Sequence, residues 1–363
     1  MFSKRTSLVA ALLVGAVAFV ALQGADKPKD LWWDPNDSSL PPDVKFQGEY
    51  LSQDGKVGCQ VISLGQKTFQ AVVYPGGLPG AGWEGKERIL MDGVLEGEDS
   101  VFTTHVTFRP AGGKRSYMAK KPEEFAATRK FPPEGQKDYT GTLDLETLTI
   151  KTDDDKKLTL KKTVRKSDTL GAKPPEGAVV LFDGSNTDAW DGNAGIDPDT
   201  KQLYPKEGDM RTKQKFNNYT AHIEFMLNYK PDAREQGRSN SGFYQVDRYE
   251  VQILDSFGLE GENNECGAIY SKSKPKVNMC FPPLTWQTYD VEFTNALRDD
   301  DGKKTKNAVM TVKHNGVLVH DKVEVNGNTV GGEDKNEGTP GPLQLQHHGN
   351  RVQFRNVWVV EKK

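Results

Sequence analysis

Cysteine and histidine are scarce in this sequence of 363 residues, with three of the former and six of the latter, and no Cys/His grouping has zinc-site spacing. Positive charge is not in excess either. Lys and Arg number 48 against 51 Asp and Glu, and a net charge of −3 argues against nucleic acid as a partner. Cys266 and Cys280 bracket one loop-like stretch and could form a disulfide, with buried free thiols as the alternative, while Cys59 lies far away in sequence.

Long apolar runs are also lacking, except at the N-terminus. Two basic residues precede an apolar run from Leu8 to Leu22, and small residues follow it, which is typical of a secretory signal peptide over residues 1–24. A single membrane anchor is the alternative, but about 15 apolar residues fall short of the roughly 20 that cross a bilayer. We therefore expect an exported protein, periplasmic or extracellular, with no integral membrane segment after cleavage.

Turn-forming residues, by contrast, are abundant: there are 36 glycines and 20 prolines. With 27% charged and 35% hydrophobic residues, the composition describes a polar, turn-rich globular protein. Short runs rich in β-branched residues alternate with turn signals, and no helical-period segment of useful length appears. The sequence predicts an all-β protein, and at roughly 150 residues per domain it predicts about two domains.

Two β-rich regions flank a segment with the composition of a linker. The short apolar runs and turn signals of residues 45–166 predict a small antiparallel β-domain of unknown function, which could close into a barrel. Residues 167–178 include a pair of prolines and predict the linker. From 179 to 363 the strands are longer and turns recur regularly, as in a β-sandwich. If few core contacts cross the linker, residues 30–165 can be deleted without unfolding the C-terminal domain.

The densest group of functional side chains lies in residues 242–254, which we predict as one strand. Alternation places Glu250 and Gln252 on one face, about 6.6 Å apart, with apolar residues on the other. The strand predicted at 343–348 alternates in the same way. The two polar faces resemble the wall of a sugar-binding cleft, and an ordinary solvated outer face is the alternative. The side chains on these faces are Arg248, Glu250, Gln252, Gln344, Gln346 and His348.

A conventional retaining glycosidase needs two carboxyl groups about 5–5.5 Å apart. After Glu250 the next carboxylate along this segment is Asp255, whose odd spacing points it to the other face unless a bulge intervenes. Gln252 cannot ionise. This strand alone therefore gives little support to a two-carboxylate mechanism.

Eight short motifs follow one another through the C-terminal region. They are VLFDG (180–184), NSG (240–242), RYEVQILD (248–255), GAIY (267–270), WQTYD (286–290), HNG (314–316), GPLQLQHHG (341–349) and FRN (354–356). In this order they resemble the 3-keto-disaccharide hydrolase domain, formerly a domain of unknown function, over about residues 179–361. An acidic insertion (299–301) and a Gly-rich loop (331–334) depart from the family pattern.

The resemblance implies a concanavalin- or laminin-G-like jelly roll that cleaves glycosidic bonds in carbohydrates oxidised at C3. A ketone at C3 acidifies the C2 proton, so one base and one oxyanion stabiliser suffice. The stabiliser is either a set of hydrogen-bond donors or a divalent metal; no cofactor is certain. A non-catalytic, lectin-like carbohydrate-binding module is the alternative function, because jelly rolls serve both roles.

Each candidate site residue has a predicted role and a structural alternative. His348 could only cap a strand end, and Arg248 could form a structural ion pair. Asn240 could serve turn chemistry alone, and Trp286 could pack in the core. We predict Glu250 or His348 as the base, Asn240, Arg248, Gln252 and Gln346 as donors or positioning residues, and Tyr244 and Trp286 as platforms that stack on a sugar ring.

Overall fold

The computed structural model describes residues 30–97 and 104–362, which contain strands, turns and only short 3₁₀ helices. The predicted all-β class is confirmed. The predicted signal peptide at 1–24 lies outside the described residues. In the described ranges, no helix is long and apolar enough to span a membrane. The 3₁₀ helices are Pro42–Lys45, Pro122–Glu124 and Glu235–Gly237.

Eight N-terminal strands close into an antiparallel barrel. The first ten strands are β1 (Gly48–Ser52), β2 (Val57–Gly65), β3 (Thr68–Pro75), β4 (Leu78–Pro79), β5 (Gly82–Trp83), β6 (Ile89–Glu96), β7 (His105–Pro110), β8 (Thr140–Leu143), β9 (Thr147–Lys151) and β10 (Lys157–Thr163). The barrel order is β1-β10-β9-β8-β7-β6-β3-β2, and β4 pairs in parallel with β5.

The strands on one side of the barrel are buried on both faces. In β3, Phe69, Ala71 and Val73 point into the barrel, whereas Val72 and Tyr74 join an apolar cluster outside it. A strand covered on both faces needs apolar residues at consecutive positions. Its sequence is therefore a continuous apolar run and not an alternation of apolar and polar residues. This side of the barrel therefore packs against the C-terminal region.

The C-terminal region is a β-sandwich. Its strands are β11 (Val179–Phe182), β12 (Ala194–Ile196), β13 (Leu203–Pro205), β14 (Met210–Arg211), β15 (Tyr219–Met226), β16 (Ser241–Gln245), β17 (Tyr249–Ile253), β18 (Trp286–Thr294), β19 (Leu297–Arg298), β20 (Lys304–Lys306), β21 (Ala308–His314), β22 (Val317–Val325), β23 (Gln344–Leu345) and β24 (Gln353–Glu361).

Two sheets enclose the core of the sandwich. The large sheet runs β12-β13-β24-β15-β18-β21-β22, with β11 also paired to β24, and the small sheet runs β14-β23-β16-β17. Phe225 and Tyr289 from the large sheet share one apolar cluster with Phe243 and Val251 from the small sheet. The arrangement agrees with the predicted jelly-roll sandwich. The strands β19 and β20 form a separate two-stranded sheet.

The single strand predicted at 242–254 is wrong. The segment is a hairpin, in which β16 and β17 pair antiparallel across a tight turn. Val246 and Asp247 occupy the turn with φ of 48° and 61°. A β-branched residue rarely adopts this left-handed conformation, and hairpin turns of this kind usually carry Asn or Gly. The sequence therefore gave no turn signal at this point.

The expectation of few core contacts between the two regions is also wrong. One apolar cluster includes residues of both the barrel and the sandwich. Arg238 donates to the Ser63 carbonyl oxygen at 3.1 Å, and Arg234 donates to the Leu64 carbonyl oxygen at 2.8 Å. The Tyr229 hydroxyl donates to Ser63 Oγ at 2.8 Å. The barrel therefore supports the loops that lead into β16.

The segment predicted as a linker lies on the outer face of the large sheet. Ser167 Oγ and Thr288 Oγ1 are 2.6 Å apart, and the Gly171 amide donates to Glu224 Oε1 at 2.6 Å. These hydrogen bonds hold residues 167–171 against the sandwich. The division into domains at 45–166, 167–178 and 179–363 stays a prediction.

All three cysteines are free and buried. The sequence left the pairing of Cys266 with Cys280 open, and the disulfide is not formed. Cys266 Sγ instead lies 3.2 Å from the Tyr289 hydroxyl, within the core of the sandwich.

Candidate active site

A row of polar side chains crosses the outer face of the small sheet, with one residue from each strand. The register pairs Arg211 on β14 with Gln344 on β23, Gln344 with Tyr244 on β16, and Tyr244 with Glu250 on β17. Each has at least one immediate neighbour in the apolar core, because side chains alternate between the two faces of a sheet. The sequence pattern therefore places this row at the surface of the sandwich.

Glu250 is the buried carboxyl group at one end of the row. It is 3% exposed, and the Tyr244 hydroxyl donates to its Oε2 at 2.9 Å. Burial raises the pKa of Glu250 to about 8; the hydrogen bond from Tyr244 opposes this rise, and the negative charge of Asp209 adds to it. Glu250 is therefore mostly protonated at neutral pH and, once ionised, is a stronger base than an ordinary glutamate.

The second oxygen of this carboxyl group, Oε1, has no hydrogen-bond partner in the described part of the chain, and it is not sealed from solvent. It lies over Gly242, where an added Cβ would overlap with it. Gly242 sits between Gln252 on β17 and Gln346, whose amide donates to the Gly242 carbonyl oxygen at 2.9 Å. The carboxyl group occupies the space that a side chain at 242 would fill, which we call the Gly242 hollow, and Oε1 is the oxygen available to a ligand there.

A glycine-rich loop packs over the Tyr244 end of the hollow. The Glu250 amide donates to Thr329 Oγ1 at 3.0 Å, and the Val330 carbonyl oxygen lies 3.0 Å from the Tyr244 hydroxyl. At Gly331 a side chain would overlap with that hydroxyl, so only glycine fits. The loop that departs from the family pattern is thus part of the wall of this site.

Arg248 does not lie on this face. It follows the hairpin turn and precedes β17, so the alternation of the strand does not extend to it. Its side chain is buried, donates to the Thr339 carbonyl oxygen at 2.7 Å and pairs with Asp334. The predicted sugar contact of Arg248 is therefore wrong: the guanidinium group anchors the loop that carries Thr339 and Asp334.

Three of the predicted amides do border the hollow. Gln346 Nε2 lies 3.3 Å from the Tyr244 hydroxyl, and Gln252 Nε2 donates to Gln236 Oε1 at 3.1 Å. Asn240 Nδ2 donates to the Gln236 carbonyl oxygen at 2.9 Å, and its buried Oδ1 has no partner among the described residues. Their predicted contact with a sugar stays a prediction. Gln236, which links two of them, was missed.

The structure does not bring the side chains of His348 and Trp286 into this group. His348 is exposed on the loop after β23, and no hydrogen bond joins its side chain to Glu250 in the described chain. Trp286 lies on the outer face of the large sheet, with the Arg355 guanidinium 4.0 Å from its ring centre. Trp286 as a sugar platform beside Glu250 is wrong because β18 belongs to the opposite sheet.

Three polar residues in or beside the row were not predicted as site residues, and only one of them had a sequence signal. Gln344 follows the alternation of β23, whereas Asp209 and Arg211 lie at a strand of two residues, which is too short to show a period. Arg211 donates to Gln344 Oε1 and to Asp247 Oδ1, each at 3.1 Å, and Gln344 donates to Asp209 Oδ2 at 2.8 Å. The carboxylates around Arg211 raise its pKa against the opposing effect of burial.

The site lacks the second carboxylate that the sequence offered. Asp255 forms a buried ion pair with Arg238 at 2.5 Å and serves the packing of the adjoining loops. Within residues 30–97 and 104–362, no group of three or more His, Cys, Asp or Glu side chains could hold a metal ion. One carboxyl group surrounded by a phenol and carboxamides does not fit a divalent metal.

Comparisons with known proteins identify the family of the C-terminal region. Residues 177–360 match the family described as the 3-keto-alpha-glucoside-1,2-lyase-like domain. Two solved structures from Parabacteroides distasonis, both described as candidate glycosyl hydrolases, are similar to the chain. The first is 32% identical with a TM-score of 0.47, and the match covers 52% of this chain and 85% of that structure's chain. The second is 19% identical with a TM-score of 0.39, and the match covers 52% of this chain and 95% of that structure's chain. No curated protein matches the chain.

Proposed function

The chain belongs to the 3-keto-alpha-glucoside-1,2-lyase-like domain family, whose members are carbohydrate-active, and we propose that it cleaves the glycosidic bond of 3-keto-glycosides. The reaction would proceed by abstraction of the C2 proton, elimination and hydration. The observation that carries this proposal is the state of Glu250: a buried carboxyl group with one oxygen held by Tyr244 and the other without a protein partner over the Gly242 hollow.

The chemistry needs one base because the C3 ketone acidifies the neighbouring C–H bond. Ionised Glu250 takes the proton from C2, and the electron pair forms an enolate with its negative charge on the C3 oxygen. When the ketone re-forms, a C1–C2 double bond forms and the C1–O bond breaks, and the leaving alkoxide takes up a proton. Water then adds at C1 while a proton returns to C2, which gives the free 3-keto sugar.

The environment of Glu250 suits both proton transfers. A general base acts best when its pKa lies near the working pH, and burial places the pKa of Glu250 at about 8. A group with this pKa keeps the proton long enough to return it to the leaving oxygen. The side-chain amides of Gln252 and Gln346 border the same hollow and would donate to the developing enolate oxygen.

We also propose that the protein acts outside the cytoplasm, in the periplasm or the extracellular space. The support is the basic, apolar and small-residue pattern of residues 1–24. Sequencing the N-terminus of protein recovered from the periplasmic or culture fraction tests this proposal. A mature protein that begins close to residue 25 is expected, and an uncleaved chain in the cytoplasmic fraction would contradict it.

A direct assay tests the proposed activity. Purified protein is incubated with 3-keto-trehalose or a 3-keto-glucoside and with the unoxidised parent sugars, with and without a chelator, and released sugar is measured. We expect cleavage of the keto-glycosides alone, whether or not the chelator is present. Binding of the parent sugars without any turnover of the keto-glycosides would instead support a lectin-like module.

A further inference from the structure

The barrel reaches the end of the site that lies beyond Gln252. The barrel segment 112–131 leads from β7 towards β8 and carries Arg129, which donates to Asn264 Oδ1 at 2.9 Å. Gln236 donates to the Asn264 carbonyl oxygen at 2.8 Å and accepts from Gln252 Nε2 at 3.1 Å. A continuous chain of hydrogen bonds therefore runs from the hollow beside Glu250 to a barrel residue.

The guanidinium group of Arg129 is held in place and still has donors to offer. It lies over the Tyr117 ring, 4.0 Å from the ring centre, and the Tyr117 hydroxyl donates to Glu265. Glu265 in turn accepts from the Gly261 and Glu262 amides at 2.7 and 3.0 Å, which fixes the loop that carries Asn264. Arg129 is 38% exposed, and in the described chain its Nε and one terminal nitrogen have no protein partner.

We propose that Arg129, Asn264 and Gln236 form the subsite for the leaving group, which is the second sugar of a disaccharide substrate. This inference rests on the proposed function. Gln252 follows Glu250 by two residues, about 6.6 Å along β17, and a second sugar ring joined at C1 extends by a comparable distance. The barrel would thus select the leaving group, while the small sheet holds the keto sugar.

The chemistry of these side chains fits a neutral polyhydroxylated ring. A planar guanidinium group and two carboxamides supply both donors and acceptors at fixed positions, which is what neighbouring sugar hydroxyls need. Asn240, beside Gln236, adds a buried amide oxygen that has no partner among the described residues.

The test compares two leaving groups with the full-length protein. Arg129→Ala, Gln236→Ala and the control Lys130→Ala are assayed on a 3-keto-disaccharide and on methyl 3-keto-glucoside, whose leaving group is methanol. Lys130 is exposed and adjacent to Arg129 in sequence. We expect Arg129→Ala to lower kcat/KM for the disaccharide roughly tenfold, mainly through KM, with the methyl glycoside changed less than about twofold. Gln236→Ala also removes the acceptor of Gln252 and should lower kcat/KM on both substrates, whereas Lys130→Ala should alter neither.

Other outcomes overturn the inference. An equal loss on both substrates with Arg129→Ala would mean that Arg129 only supports the fold of the site, and no loss on either would mean that the barrel does not touch the substrate. If the wild-type protein cleaves neither substrate, the proposed function fails, and calorimetric binding of trehalose and glucose decides. Arg129→Ala must then weaken the binding of trehalose but not of glucose. If the variant binds trehalose as tightly as the wild-type protein does, the subsite is refuted.

Discussion

Tyr244 and Glu250 are directly opposite each other on β16 and β17, and the tyrosine hydroxyl donates to Oε2 of the carboxyl group at 2.9 Å. This bond fixes the direction of the carboxyl group, so that Oε1 lies over Gly242. The same hydroxyl lies 3.0 Å from the Val330 carbonyl oxygen. One phenol therefore positions both the proposed base and the loop that covers it.

Substituting the proposed base should separate binding from turnover. Glu250→Gln keeps the shape of the side chain but cannot accept a proton, so kcat should fall by the ~10²–10⁴ typical of a lost general base. Sugar binding measured by calorimetry should change little. The matched control is Glu324→Gln, on an exposed position of β22, which should leave kcat unchanged. Full turnover by Glu250→Gln would exclude Glu250 as the base.

The raised pKa of Glu250 predicts the direction of the pH dependence. A base must be ionised before it acts, and burial places the pKa of Glu250 at about 8. The value of kcat/KM should therefore rise with pH, reach half its maximum near pH 8 and level off above that. Initial rates on a 3-keto-glycoside between pH 5 and 10 measure this. A profile already level at pH 6 would mean that the group responsible has an ordinary carboxyl pKa.

Gly242 should be essential for activity, and a side chain there should also lower the stability of the fold. A Cβ at this position overlaps with Oε1 of Glu250, so Gly242→Ala must displace the carboxyl group. We expect kcat/KM to fall at least about tenfold, with a loss of stability in the range of about 1–3 kcal/mol typical of overpacking. Gly192→Ala is the control, because a Cβ there meets no atom within 4 Å. Equal activity of the two variants would refute this account of the hollow.

Much of the polar face could be predicted from the sequence, since alternation alone placed Glu250, Gln252 and Gln346 on one side of their strands. Alternation cannot show where a strand begins, however, and Arg248 was wrongly included because the turn before it carries Val246 in a conformation that valine rarely adopts. It also cannot show which of two sheets a strand joins, so Trp286 was predicted as a sugar platform although β18 belongs to the opposite sheet.

Other parts of the site had no local signal. Asp209 and Arg211 lie at a strand of two residues, and Gln236 lies in a 3₁₀ helix of three. The contact between Arg129 and Asn264 joins positions 135 residues apart in the chain. Contacts of this kind depend on how the barrel packs against the sandwich, which one sequence does not reveal.

The shared core predicts that the sandwich does not fold well without the barrel. Removing residues 30–165 exposes Phe257, which packs in the common apolar cluster, and leaves Arg234 and Arg238 without their barrel acceptors. Burying one large apolar side chain contributes roughly 1.5–3 kcal/mol, and several are uncovered together. We expect a 172–363 fragment to be insoluble or to lack a cooperative unfolding transition by circular dichroism. A fragment as stable as the full chain would contradict this.

The most direct test of the mechanism uses a 3-keto-glycoside deuterated at C2, incubated with wild-type protein, with Glu250→Gln and without protein. Abstraction by Glu250 predicts that wild-type protein releases the deuterium into water as the glycosidic bond breaks, with a primary isotope effect if this step limits the rate. Release of deuterium should be far slower with Glu250→Gln and without protein. Brisk cleavage with full retention of deuterium in the product, together with cleavage of the unoxidised sugar, would contradict elimination and indicate a conventional glycosidase.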